Sequence, residues 1–133
     1  PDPETGLFNR ISFPSNYSTE IAPQGHSSIL AEITYNDGDA VSQMTDAAVI
    51  DHTVRSLFSA GIIPSLDAVV YTGIERQEFA YVVYDLDYQE NIRVVREFCR
   101  ERGIDLVGRF SRFEYLNMDG CIRSAIDYVK EKP

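Results

Sequence analysis

Tryptophan is absent, and cysteine is nearly so: Cys99 and Cys121 stand far apart and in no CxxC pair. That spacing excludes a zinc-ribbon site and a disulfide framework, and leaves two reduced, half-buried thiols as the expectation. No apolar run approaches the ~20 residues of a membrane-spanning helix. The opening PDPETGLFNR has no basic start ahead of an apolar stretch, so it does not read as a signal peptide, and a cytoplasmic protein is expected. Basic residues are in deficit, 12 Lys and Arg against 21 Asp and Glu, for a net charge of -9. Such a surface repels nucleic acid, although a small basic pocket for one anion remains compatible with it. His26 and His52 are the only histidines, and neither has a histidine at i+4 or a nucleophile motif nearby. The turn NDGD at 36–39 lacks the downstream glutamate of a calcium loop. Neither a metal site nor a catalytic acid or base is expected.

What is present is ordinary globular composition, 44% hydrophobic and 25% charged over 133 residues, long enough for one domain with a core. Alternation and β-formers predict strands over 7–13, 28–35, 65–73, 79–84 and 104–110. Thr45 caps a predicted helix over 46–60 that Gly61 stops, and Ala47, Ile50, Val54, Leu57 and Phe58 mark its inner face. A second helix over 88–102 opens on Asp87 with Glu90 in capping-box spacing and closes at Gly103; its inward set is Ile92, Val95, Phe98 and Cys99. Arg93, Arg96 and Arg100 alternate with Glu97 and Glu101, the pattern of a solvated face. A third helix over 118–130 carries Ile122, Ala125, Ile126 and Val129 at core spacing. The order ββα-ββα-βα predicts an α+β fold, a mostly antiparallel sheet with helices on one face.

The chemistry concentrates in GRFSRFEYLNMDG, residues 108–120. Gly108 lets a ligand approach the backbone after a strand. Arg109 offers a planar set of donors for phosphate oxygens. Asn117 stands where it can cap the last helix, whose first amides form an anion-accepting end, and Asp119 suits the first turn.

The run YDLDYQENIRVVREFCRERGIDLVGRFSRFEYLNMDGCIRSA resembles the C-terminal part of FAD-dependent amine-oxidase-like flavoproteins. That superfamily includes protoporphyrinogen-oxidase-like enzymes and UDP-galactopyranose mutases. The shared pattern is Y-x-V-Y-D, a helix, GR-x-G-x-x-x-Y-x-N-x-D and a second helix; FNRISFPSNYS and SSILAEITY resemble substrate-domain strands of the same proteins. The resemblance implies that Gly108, Arg109, Asn117, Met118 and Asp119 border the FAD, and that Arg10, Tyr81, Arg109 and Tyr115 meet a small-molecule substrate such as a sugar nucleotide. The chain departs from the pattern at Ser111, where glycine is common, and it has no GxGxxG turn to take the dinucleotide pyrophosphate. It therefore reads as a C-terminal fragment, residues 1–133 forming a substrate-domain and flavin-lip region whose N-terminal FAD-binding domain is absent. Loss of such a partner domain leaves apolar surface that favours self-association. The alternative is a non-enzymatic α+β binding or dimerisation module.

Overall fold

A computed structural model describes residues 6–132. Length alone points to a single domain; the chain instead divides into two compact units, Pro1–Glu75 and Arg76–Pro133. The fold is α+β, with one two-stranded antiparallel sheet and four α-helices among the described residues.

In the first unit, β1 (Arg10–Ser12) pairs with β2 (Leu30–Glu32) in the register Arg10↔Glu32, Ile11↔Ala31 and Ser12↔Leu30. The long connection between them begins with a single 3-10 turn at Pro14–Asn16. It is tied across by Ser15, whose hydroxyl accepts the Ser28 amide at 2.7 Å. Helix α1 (Asp46–Ser59) starts where Thr45 Oγ1 accepts the Ala48 amide at 3.3 Å, as its cap residue predicts. It ends where Gly61 N–H bonds Phe58 O and Ile62 N–H bonds Leu57 O, both at 2.9 Å, a paired closure of the last turn. Val49, Leu57 and Ile63 are buried. Ala47 and Phe58, expected inward, face solvent, and Val49 takes the place at the centre of the packed face.

In the second unit, α2 (Tyr88–Glu101) closes the same way, Gly103 N–H to Arg100 O at 3.1 Å and Ile104 N–H to Cys99 O at 2.9 Å. Its start differs from expectation. Asp87 makes no side-chain cap, and Glu90 turns to Arg93 at 2.7 Å, because an adjacent guanidinium outcompetes a single amide for the carboxylate. A one-turn helix, α3 (Arg109–Arg112), and the long α4 (Met118–Glu131) complete the unit. The end of α4 is anchored to the 104–107 segment by Asp105, which accepts from Lys132 Nζ at 2.5 Å and Tyr128 Oη at 2.9 Å.

The mostly antiparallel sheet in the order ββα-ββα-βα is not what the described residues form. Residues 65–73 hold a 3-10 turn at Leu66–Ala68, residues 79–84 lie outside any ladder, and 104–110 ends in α3. A strand needs a neighbour for its amides and carbonyls, and no partner strand is present for these three. Apolar side chains are left in solvent as a result: Tyr71 is 86% exposed and Phe79 79%. The inward sets of α2 and α4 share this fate. Only Ile92 is buried, while Val95, Phe98, Ile122, Ile126 and Val129 are exposed.

Two stability predictions follow from this packing. Ile92→Ala, which empties the one buried side chain among the described residues of the second unit, is expected to cost about 2–5 kcal/mol, against about 1 kcal/mol for Thr45→Ala; chemical denaturation of both variants measures the difference. The Lys132 and Tyr128 donors hold the Asp105 carboxyl below the usual carboxylate range. The α4 anchor is thus fully present above the ordinary carboxylate pKa and is lost as pH falls through the lowered value. Acid titration of the second unit's unfolding is expected to show a shallower loss for Asp105→Asn than for the unsubstituted protein.

Candidate functional site

Gly108 sits at φ 84°, ψ -175°, a conformation essentially confined to glycine, and turns the chain from the 104–107 segment into α3. Its amide donates to Ser124 Oγ on α4 at 3.2 Å. A β-carbon built there would meet nothing within 4 Å, so the position is open space beside a strained backbone.

That turn delivers Arg109. Its guanidinium lies 4.3 Å from the Tyr115 ring centre, 5.4 Å from Tyr81 and 5.6 Å from Phe110. Tyr81 and Tyr115 stack at 5.9 Å with only 13° between ring planes. Nη1 donates to the Leu116 carbonyl at 3.1 Å, which fixes the cation to the residue just before the start of α4. Nε is buried and has no acceptor among the described residues.

The loop 113–116 that carries Tyr115 is held from several sides. Phe113 adopts a left-handed conformation at φ 51°. Its carbonyl accepts from Tyr88 Oη, and the Tyr115 amide donates to Tyr84 Oη at 2.6 Å. Removal of solvent around Tyr88, reinforced by Tyr84, raises its phenol pKa, so it stays a donor at neutral pH. Arg96 on α2 reaches the Arg112 carbonyl at 3.0 Å and Glu114 Oε1 at 2.8 Å, while Arg112 Nη2 approaches the same oxygen at 3.1 Å. Arg96 therefore leaves the solvated face expected for it, whereas Arg93 and Arg100 stay there with Glu90 and Glu97.

Asn117 occupies the cap position of α4, extended at ψ 177°, yet its side chain caps nothing. The amides of Met118, Asp119 and Gly120 are consequently without acceptors among the described residues. The structure thus brings Tyr81, Gly108, Arg109, Tyr115 and the Asn117–Asp119 helix start into one unit. Arg10 is not among them. It lies in the first unit, where its guanidinium forks onto its cross-strand partner Glu32, Nε to Oε1 at 2.8 Å and Nη2 to Oε2 at 2.5 Å.

Two surface hollows lie elsewhere. One of about 380 Å³ runs along α1 beside His52, where Ser56 Oγ lies 3.3 Å from Nδ1 but donates to the His52 carbonyl at 2.8 Å. The other, about 610 Å³, lies at the start of α2 beside Arg93 and Arg96. Neither contains Arg109, and the donors around Arg109 rather than cavity size define the candidate site. Among the described residues no cluster of acidic, histidine or cysteine side chains could hold a metal, and no helix is long and apolar enough to cross a membrane. Comparisons with known protein families, with curated proteins and with solved structures found no match for the chain.

A cation, two parallel phenol rings and uncapped amides can bind a planar or phosphorylated anion; they offer no acid–base pair. Gly108→Ala has room for its methyl group, so its cost is backbone strain alone, about 1–3 kcal/mol. That cost is expected as a lowered unfolding midpoint, with the Tyr81–Tyr115 ring contact weakened in aromatic proton NMR shifts.

Proposed function

We propose that the chain is the C-terminal, substrate-side part of an FAD-dependent, amine-oxidase-like flavoprotein, an oxidoreductase or a sugar-nucleotide mutase. The observation that carries this reading is the Arg109 guanidinium: ring-flanked, tied to the threshold of α4, and left with a buried donor that no protein group accepts. An unsatisfied buried donor is costly, and an anionic or carbonyl edge would remove that cost. The residues fit FAD as a lip. Gly108 admits close backbone approach, and Met118, Asp119 and Gly120 present amides to an acceptor just past the Asn117 cap position. They do not fit it as a complete site, because the pyrophosphate needs a glycine-rich turn that this chain lacks.

FAD, when bound, would supply the redox chemistry. The chain's own residues bind and orient: Arg109 neutralises substrate or cofactor charge, Tyr81 and Tyr115 hold a flat group by stacking and hydroxyl donation, and the Arg96–Glu114–Arg112 tie keeps Tyr115 in place. The uncovered segments 65–73 and 79–84 support a partner FAD-binding domain whose strands would pair with them. The exposed stripe Met118, Ile122, Ile126 and Val129 on α4 favours a second reading, a non-enzymatic binding or dimerisation module.

The visible spectrum of the protein expressed from its full reading frame distinguishes the two. Flavin absorption is expected; a colourless preparation that takes up no added FAD overturns the flavoprotein reading. In the same protein Arg109→Ala is expected to weaken flavin or uridine diphosphate binding by about tenfold to a hundredfold, the worth of a charge-assisted hydrogen bond. Its unfolding midpoint is expected to fall only modestly, because the side chain ties one carbonyl and rests on three rings without filling the core.

A further inference from the structure

The run Phe79–Tyr84, FAYVVY, has the composition of a buried strand, with β-branched and aromatic residues and no charge, proline or glycine. It is used as nothing of the kind. The backbone bends at Glu78 and Tyr81 and joins no ladder. Among the described residues, Phe79, Ala80, Val82 and Val83 make no hydrogen bonds. Phe79 and Val83 are 79% and 76% exposed. Such a segment can take a new strand without breaking any backbone bond of those four residues, and the pairing would satisfy amides and carbonyls that now rely on water.

The ends of the run decide which strand. Glu78 precedes it, and Asp85 and Asp87 follow; all three are exposed, and none has a cationic partner among the described residues. Antiparallel pairing with a second copy, Phe79 opposite Tyr84, would set Glu78 against Asp85 directly beside the run, with Arg76 against Asp87 only beyond it, where the chain already turns into α2. Parallel pairing in register would set Glu78 against its own counterpart. Like charges directly opposite destabilise a strand pair, so the chain is a poor partner for itself here. We infer that residues 79–84 are a docking strand for a β-strand of another protein or domain, apolar in the middle and carrying lysine or arginine at both ends. This inference does not depend on a flavin.

The probe is a fluorescein-labelled peptide of alternating valine and threonine with two lysines at each end, titrated with the whole chain and read by anisotropy. Saturable binding that weakens as salt rises is expected. Val83→Pro removes a free amide from an exposed position and is expected to reduce affinity at least about tenfold without shifting the unfolding midpoint. Replacing Glu78, Asp85 and Asp87 together by Lys leaves the core untouched and is expected to transfer preference to the same peptide with glutamates at its ends. Failure of the lysine peptide to bind, binding indifferent to both sets of substitutions, or a homodimer in sedimentation that Val83→Pro abolishes would each overturn the inference. A colourless protein that still binds the peptide would sink the flavin reading and leave this one standing.

Discussion

Two guanidiniums meet one carboxylate oxygen where Arg96 and Arg112 converge on Glu114, and the geometry of the second unit rests on that meeting. With Ile92 the sole buried apolar side chain among the described residues of the unit, packing cannot by itself choose between loop conformations. Polar ties do it instead. Arg96 binds α2 to the loop, Tyr84 and Tyr88 fix its backbone, and Arg109 fastens its far end at Leu116. Exposed ion pairs are individually weak, but several donors on one short segment act as a network and restrict it together. The left-handed Phe113 is the conformational cost that this network offsets.

The three long helices were legible nearly to the residue because their signals are local. Thr45 has an amide to accept three residues on, and Gly61 and Gly103 each follow a last turn whose carbonyls need closing. Strands had no such advantage. Residues 10–12 and 30–32 found each other, whereas 65–73, 79–84 and 104–110 carry strand composition without a strand to pair with, and composition cannot report the missing neighbour. Helical periodicity likewise marked Ile122, Ile126 and Val129 as a face to be covered without indicating what would cover it.

The site was partly legible for similar reasons. Arg109 and the α4 start lie close in sequence, so their convergence could be reasoned from the chain itself. Tyr81 is far along the chain from both, and only the family resemblance grouped it with Arg109 and Tyr115. The role of Arg96 was missed, although a signal existed. Arg93 has Glu90 and Glu97 at helical spacing, and Arg100 has Glu97; Arg96 has Ile92, Arg93, Cys99 and Arg100 at those positions and no acid at all. A cation on a helix without an acid one turn away must find its partner elsewhere in the fold.

The uncovered apolar surface and the unsatisfied donors belong to one physical situation. A backbone cap for α4 and an acceptor for Arg109 Nε would each be easy to supply: Asn117 needs only a different side-chain rotamer, and a nearby carboxylate could turn inward. Glu114, the acid of the loop itself, is engaged by Arg96 and Arg112 instead. With Glu114 committed to the loop, the buried Arg109 Nε and the first amides of α4 are left without acceptors among the described residues, and the run 79–84 without a ladder.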